Sequence, residues 1–272
     1  MKKWTVFLLT LCLFFFNFFH MSAIASRQDF SIQISRSKVA GVPGSLIQYK
    51  VLVRNQTQND ITVTIASEIL ETNIPLNYSI HRRQRELTNQ FKLEKASAET
   101  LDVAIQTTEQ TPIKTQGILR ITFSSRENPA SKQQALLYFY VVDEIVMHLK
   151  IGSNDVQVRN QDPFILDYPP YIKDSRTFVP LRFIGESFGA TIGWDQRERK
   201  VTYTLRGKNL TLWINQTRYL VNGTEKRMDV APEIKPPGRT FVPIRLISEE
   251  LGASVTWLAE NQQIRIEFAV SG

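Results

Sequence analysis

The stretch RTFVPLRFIGESFGATIGW, residues 176–194, occurs again as RTFVPIRLISEELGASVTW, residues 239–257. Eleven of the nineteen positions are identical, at a constant offset of 63 residues. A self-match of this length indicates an internal duplication, in which each copy is one supersecondary unit. The motif positions are Arg176, Pro180, Arg182, Glu186, Gly189 and Trp194 in the first copy, and Arg239, Pro243, Arg245, Glu249, Gly252 and Trp257 in the second.

A short amphipathic helix is predicted in each copy. Proline is favoured in the first turn of a helix, and the later glycine supplies a left-handed cap that ends it. Between them, apolar residues recur at steps of three and four, which gives one buried stripe. The motif arginine and glutamate are four residues apart and can pair on one helix face. The arginine comes first, which is the weaker orientation, so the alternative is that both side chains pair with residues elsewhere in the domain.

Strands are predicted on both sides of each helix. The segments ATIGW and ASVTW alternate, and each leads through a polar turn into a second strand to form a hairpin. Two more strands precede each helix. We therefore expect two β-β-α-β-β modules, residues 144–206 and 207–268, each with its helix on a small antiparallel sheet and its tryptophan packed against the helix. Asp167 and Asp229 are expected to cap turns before the nearby prolines.

Residues 28–143 have a different pattern. At least six short runs alternate apolar and polar residues, which is the period of a half-buried strand, and turn residues separate them. Short strands at this spacing predict an antiparallel sandwich. The order of its turns resembles that of bacterial immunoglobulin-like modules. The predicted fold class is thus an all-β sandwich followed by two α+β modules.

The repeated half carries a more specific resemblance. The string D-x-P-P, then RTFVPLRFIGE-x-FGA, then W-D, resembles the copper amine oxidase-like N-terminal domain, also called the stalk domain. Tandem copies of this domain occur in secreted proteins of Gram-positive bacteria. The second copy departs from the pattern at Ala231 and Leu258. In that family the stalk lies apart from the catalytic domain, so the resemblance implies a noncatalytic role.

The N-terminal residues predict an export signal. MKK precedes an apolar run and Ala23-Ile24-Ala25, which has the form of a signal peptidase site, so we predict a signal peptide over residues 1–25. Cleavage leaves no membrane span, and an uncleaved anchor is the alternative. The single cysteine, Cys12, lies in this segment, so disulfides are not expected elsewhere. The net charge of +7 suits an anionic wall or simply solubility, and export argues against nucleic-acid binding.

Catalysis is not predicted. A copper amine oxidase needs three histidines and a tyrosine in an Asn-Tyr-Asp/Glu setting. Only His81 and His148 follow the signal, and Asn77-Tyr78-Ser79 has the wrong third residue. A lone histidine such as His148 in a strand indicates packing more than zinc binding, and no phosphate loop, nucleophile elbow or HExxH motif occurs. We therefore expect no catalytic residues, no cofactor and no metal.

A binding role remains. We predict a secreted or wall-associated structural or adhesive module that binds cell-wall polysaccharide or a surface protein, and the alternative is an accessory binding subunit of an extracellular enzyme. Exposed aromatic rings can stack on sugars. The candidate ligand contacts are Tyr168, Tyr171, Trp213 and Tyr219. The paired modules could instead present an apolar surface or a strand edge to a protein.

Overall fold

The computed structural model describes residues 28–72, 74–236 and 238–270, and the predicted signal peptide lies outside them. Strand makes up 57% of the structure and helix 7%. The strands of the first half are β1 (Phe30–Ile34), β2 (Lys38–Gly41), β3 (Leu46–Asn55), β4 (Ile61–Leu70), β5 (Asn77–Arg82), β6 (Arg85–Glu86), β7 (Gln90–Leu93), β8 (Ala98–Gln106), β9 (Gln116–Ser125) and β10 (Lys132–Val141).

These strands form two five-stranded sheets, with orders β1-β3-β8-β5-β6 and β2-β10-β9-β4-β7. All pairings are antiparallel except that of β2 with β10. Along β9, every second residue is buried, because successive side chains of a strand point to opposite faces. Buried side chains of both sheets, including Phe123 and Phe139, form one core. We call this half the N-terminal sandwich.

The second half, residues 144–270, is called the C-terminal unit. Its elements are β11 (Glu144–Lys150), β12 (Asp155–Val158), β13 (Phe164–Ile165), β14 (Tyr171–Lys173), β15 (Arg176–Pro180), α1 (Leu181–Phe188), β16 (Thr191–Asp195), β17 (Lys200–Leu205), β18 (Lys208–Trp213), β19 (Arg218–Val221), β20 (Thr224–Arg227), β21 (Glu233–Lys235), β22 (Arg239–Pro243), α2 (Ile244–Glu250), β23 (Ala253–Leu258), a 3₁₀ turn (Ala259–Asn261) and β24 (Gln263–Ala269).

The two repeats exchange strands. One sheet has the order β13-β12-β11-β24-β23, in which the first three strands come from the first repeat and the last two from the second. Another has the order β16-β17-β18-β19-β20, in which the first two strands come from the first repeat and the last three from the second. The third sheet, β14-β15-β22-β21, joins the repeats through the antiparallel pair β15 and β22.

The predicted pair of α+β modules is therefore wrong. Alternation along the chain shows which residues form strands, but it does not show which strands pair. A two-stranded hairpin is marginal by itself, and three or more strands are needed to bury an apolar face. Each hairpin here meets that need by pairing with strands of the other repeat.

One core fills the C-terminal unit. Phe188 of α1 stacks on Phe268 of β24 with ring centroids 4.8 Å apart, so the first helix packs on the last strand. Tyr203 is fully buried, and its hydroxyl donates to the Leu181 carbonyl at 3.0 Å. The same cluster of buried side chains includes Val42 from the sandwich. The two halves of the chain thus meet through apolar packing.

The helices lie where the sequence placed them. Helix α1 has eight residues, begins after Pro180 and ends at Gly189, whose φ of 71° is left-handed. Helix α2 has seven residues, begins after Pro243 and precedes Gly252 at φ 98°. The glycines follow the helices with a left-handed φ, as predicted, whereas each proline lies one residue before the first turn, as the last residue of a strand, rather than within that turn.

Candidate binding groove

An open groove of about 670 Å³ lies between the β14–β15 turn, helix α2 and the hairpin of β23 and β24. Its volume is in the range of ligand-binding clefts. The side chains that line it are Ile172, Ser175, Arg176, Thr177, Asp229, Pro243, Ile244, Arg245, Leu246, Glu249, Val255, Trp257 and Ile264. Five of these are motif positions that the sequence identified, and they come from both repeats.

The motif arginines make cross-repeat ion pairs. Arg176 of the first repeat pairs with Asp229 of the second, and Arg239 of the second pairs at 3.0 Å with Asp167 of the first. The two aspartates were expected to cap turns, and the structure shows that each also pairs with an arginine of the other repeat. The first pair lies on the wall of the groove.

The predicted pairs within each helix do not form. Among the described residues, Glu186 pairs with Lys50 of the sandwich at 2.6 Å, while Arg182 and Arg245 have no ion-pair partner. Glu249 is exposed and also unpaired there. Within the described ranges, the groove therefore has an unpaired cation, Arg245, and an unpaired carboxylate, Glu249, besides the Arg176 ion pair.

Both motif tryptophans are exposed, which contradicts their predicted packing against the helices. Trp257 is 39% exposed and Trp194 is 45% exposed. Each lies on an edge strand, β23 or β16, so one flank of the strand has no neighbour. Trp257 lines the groove, and with Ile172, which is 54% exposed, it gives the groove an apolar surface open to solvent.

Two of the four predicted ligand aromatics pack on the sheet that joins the repeats. Tyr171 stacks on Phe178 at 5.4 Å, and its hydroxyl donates to Glu233 at 2.5 Å. Burial and this hydrogen bond raise the pKa of Tyr171. Tyr168 meets Phe241 edge to face at 5.9 Å. Neither tyrosine lines the groove.

The other two lie on the sheet that contains β18 and β19. Tyr219 is buried and donates to Glu250 at 2.8 Å, and burial together with this bond raises its pKa to about 12. Trp213 is half-buried beneath the Arg218 guanidinium, 4.2 Å from the ring centroid. A ligand role for these four residues stays a prediction. The sequence offered no signal for Ile172 or Leu246, because their accessibility depends on the packing of both repeats.

The N-terminal sandwich contacts the C-terminal end of the corresponding helix of the first repeat. Besides the Lys50–Glu186 pair, the Leu46 N–H donates to the Gly189 carbonyl at 2.9 Å. The Gln48 amide reaches the Ala190 carbonyl at 3.4 Å. Strand β3 therefore docks against the C-terminal end of α1.

A second group of contacts anchors the same interface. The Asp162 carboxylate accepts hydrogen bonds from Ser37 N at 2.8 Å, Ser37 Oγ at 2.9 Å and Lys38 N at 3.0 Å. Arg36 lies 4.3 Å above the Phe164 ring. Burial raises the pKa of Asp162, but the hydrogen bonds and the charge of Arg36 outweigh burial, so the net pKa is lowered. Asp162 is therefore held as a carboxylate.

Among the described residues, no group of three or more His, Cys, Asp or Glu side chains is arranged to hold a metal ion. His148 lies in strand β11 and His81 in strand β5. No helix in the described ranges is long and apolar enough to cross a membrane.

The copper amine oxidase N-terminal domain family matches this chain at residues 140–196 and again at 158–266. The two ranges overlap at residues 158–196. That domain is a noncatalytic part of its enzymes, and no catalytic family is indicated. No curated protein matches the chain.

Similar solved structures share only general features with this chain. A family 123 glycoside hydrolase from Clostridium perfringens is 9% identical with a TM-score of 0.33; the match covers 42% of this chain and 27% of that enzyme. The Escherichia coli chaperone DraB is 15% identical with a TM-score of 0.28, over 78% of this chain and 93% of DraB. The periplasmic chaperone SfaE is 11% identical with a TM-score of 0.27, over 58% and 94%. Scores this low carry no argument about function.

Proposed function

We propose that the protein is a noncatalytic binding module of the bacterial cell envelope, exported by its N-terminal signal, and that the open groove binds a surface protein. One observation carries this proposal. In the first copy a protein domain, the N-terminal sandwich, contacts the end of the motif helix through Glu186 and Gly189, while in the second copy the counterpart Glu249 is exposed and lines an open groove. A surface that binds protein in one copy is a reasonable protein-binding surface in the other.

The chemistry of the groove supports a protein partner. Protein interfaces have an apolar centre with a polar rim, and tryptophan and arginine are enriched at their energetic hot spots. Here Trp257, Ile172 and Leu246 give the apolar surface. Arg245 and Glu249 add one charge of each sign, so the groove suits a partner with mixed charge rather than a highly charged polymer.

Cell-wall polysaccharide is the second candidate. The accessible ring of Trp257 could stack on a sugar, and the Arg176–Asp229 pair beside it could hydrogen-bond sugar hydroxyls. This candidate requires only one stacked ring and a few polar groups, which the groove contains.

A pull-down separates the two candidates. Protein lacking residues 1–25 is incubated with native Gram-positive envelopes, with the same envelopes after protease treatment, and with purified peptidoglycan. A protein partner predicts binding to native envelopes that protease treatment removes, and binding to peptidoglycan that resists high salt indicates the glycan instead. If high salt abolishes binding to all three samples, the binding is due to charge alone, and this result would contradict the proposal.

A matched pair of variants assigns the site. We expect Trp257→Ala to weaken binding by roughly 30-fold, which is the effect of a hot-spot residue worth about 2 kcal/mol. Trp194→Ala removes an equally exposed tryptophan at the corresponding position outside the groove, and it should bind as the parent does. Equal losses in both variants would place the site elsewhere.

A further inference from the structure

The interface between the sandwich and the first repeat shows how the motif binds a protein domain. We call Glu186, Gly189 and Ala190 docking face 1. Strand β3 provides a lysine for the glutamate, a backbone N–H for the glycine carbonyl and an amide for the alanine carbonyl. A side chain at Gly189 would collide with the Leu46 carbonyl oxygen, so the strand backbone lies directly on the glycine.

The same three positions recur in the second repeat as Glu249, Gly252 and Ala253, which we call docking face 2. Gly252 is exposed, whereas Gly189 is buried. A Cβ at Gly252 would meet only the Phe268 ring, at 3.8 Å, so no backbone lies on this glycine. Docking face 2 has the carboxylate and the left-handed glycine of face 1, without the strand that covers face 1.

The residues around docking face 2 are also more exposed than those around docking face 1. The turn that precedes β13 is anchored to the sandwich through Asp162, whereas the corresponding strand β20 is exposed along its whole length. Phe183, next to docking face 1, is 2% exposed, and its counterpart Leu246 is only partly buried. The shorter, more accessible leucine leaves room beside face 2 for an apolar side chain of a partner.

We propose that docking face 2 binds a β-sandwich domain of another protein, through a strand that places a lysine or arginine opposite Glu249 and a backbone N–H opposite Gly252. This inference rests on the proposed function and specifies its partner. Among the described residues there are two such faces but a single sandwich, and that sandwich already covers face 1. A second sandwich domain is therefore needed to cover face 2.

The protein's own sandwich can serve as the probe for docking face 2. Glu186→Lys in the full protein places a cation opposite Lys50, and together with Asp162→Ala, which removes the second anchor of the interface, it releases strand β3 from docking face 1. The released sandwich can then dock on face 2 of another molecule, because Lys50 finds an unpaired carboxylate in Glu249. This is a head-to-tail contact, so it should give concentration-dependent oligomers, as closed rings or as an open series. Sedimentation equilibrium measures the association.

Three variants make the result specific. In the Asp162→Ala background, Glu186→Lys should associate more than the parent does, and adding Glu249→Lys should weaken that association by about 10- to 100-fold, as expected when an attractive charge contact becomes repulsive. Adding Glu260→Lys, an exposed glutamate outside both faces, should change little. Limited proteolysis of the segment between residues 141 and 144 reports whether the sandwich has been released. If the segment stays protected, Gly189→Val replaces Glu186→Lys, because the valine side chain would collide with strand β3.

A released sandwich that leaves the protein as monomeric as the parent would overturn this inference. So would association that survives Glu249→Lys. Either result could occur while the parent protein still binds native envelopes through Trp257, so the failure of this inference can be distinguished from the failure of the proposed function.

Discussion

The two copies of the repeat share most of their motif residues but have different surroundings. In the first, Glu186 bonds to the sandwich and Gly189 is buried; in the second, Glu249 and Gly252 are exposed, and an open groove lies beside Trp257. The difference teaches that a motif of this kind specifies a local structure, namely a helix and its two ends. The contacts of that helix depend on which domain lies against it.

The largest expected effect concerns the shared core. Phe188→Ala should destabilise the C-terminal unit by about 3–5 kcal/mol, because it removes a buried ring that stacks on Phe268 of the other repeat. All tryptophans of the described chain lie in this unit, so their fluorescence during urea unfolding measures it selectively. One transition for both repeats is expected. Two separate transitions, with the second repeat unaffected, would show that the repeats fold independently. Phe123→Ala in the sandwich core is the control.

The glycines that end the two helices test the asymmetry directly. Both have positive φ, so alanine costs each roughly 1–2 kcal/mol in backbone strain. Gly189→Ala adds a collision with the Leu46 backbone and should cost roughly 2–4 kcal/mol in total, whereas Gly252→Ala, with open space, should stay near 1 kcal/mol. Equal losses in urea unfolding would mean that the sandwich does not press on Gly189.

The Asp162 anchor is the next test. Asp162→Ala removes the acceptor of three hydrogen bonds, and we expect the interface to lose about 1–3 kcal/mol. Since the pKa of Asp162 is lowered in the folded state, its contribution is fully present above the ordinary aspartate pKa of about 4 and is lost as pH falls through the lowered value.

The corresponding measurement is limited proteolysis of the segment between the two halves, over pH 2.5 to 6 with an acid-tolerant protease. The parent should become more susceptible below about pH 4, and Asp162→Ala should be susceptible throughout. A parent whose susceptibility is independent of pH would exclude Asp162 as the anchor.

The smallest effect is expected at the cross-repeat ion pairs. Arg176→Ala and Arg239→Ala should each change stability by about 0–1 kcal/mol, because both pairs are largely exposed and screened by salt. A double-mutant cycle with Asp229→Ala should give a coupling within that range. Arg176→Ala should also weaken partner binding, since Arg176 lines the groove, whereas Arg239→Ala should not. Equal binding losses would contradict the asymmetry of the two copies.

The sequence predicted local features well and pairings poorly. Pro180 and Gly189 bounded α1 correctly, because their backbone preferences act within a few residues. The pairing of β11 with β24 joins residues more than a hundred positions apart, and alternation contains no information about it. The groove was missed for the same reason. Arg176, Glu249 and Trp257 were recognised as motif positions, but their meeting depends on strand exchange.

By itself, the sequence determined that one motif occurs twice, where each helix begins and ends, and which residues alternate between the two faces of a strand. These properties follow from backbone sterics and from the periodicity of side chains. The tertiary structure decided that the repeats share one core, that Glu186 bonds to Lys50 while Glu249 stays free, and that both motif tryptophans face solvent. Such outcomes depend on which surfaces bury the most apolar area together, and that is a property of the whole chain.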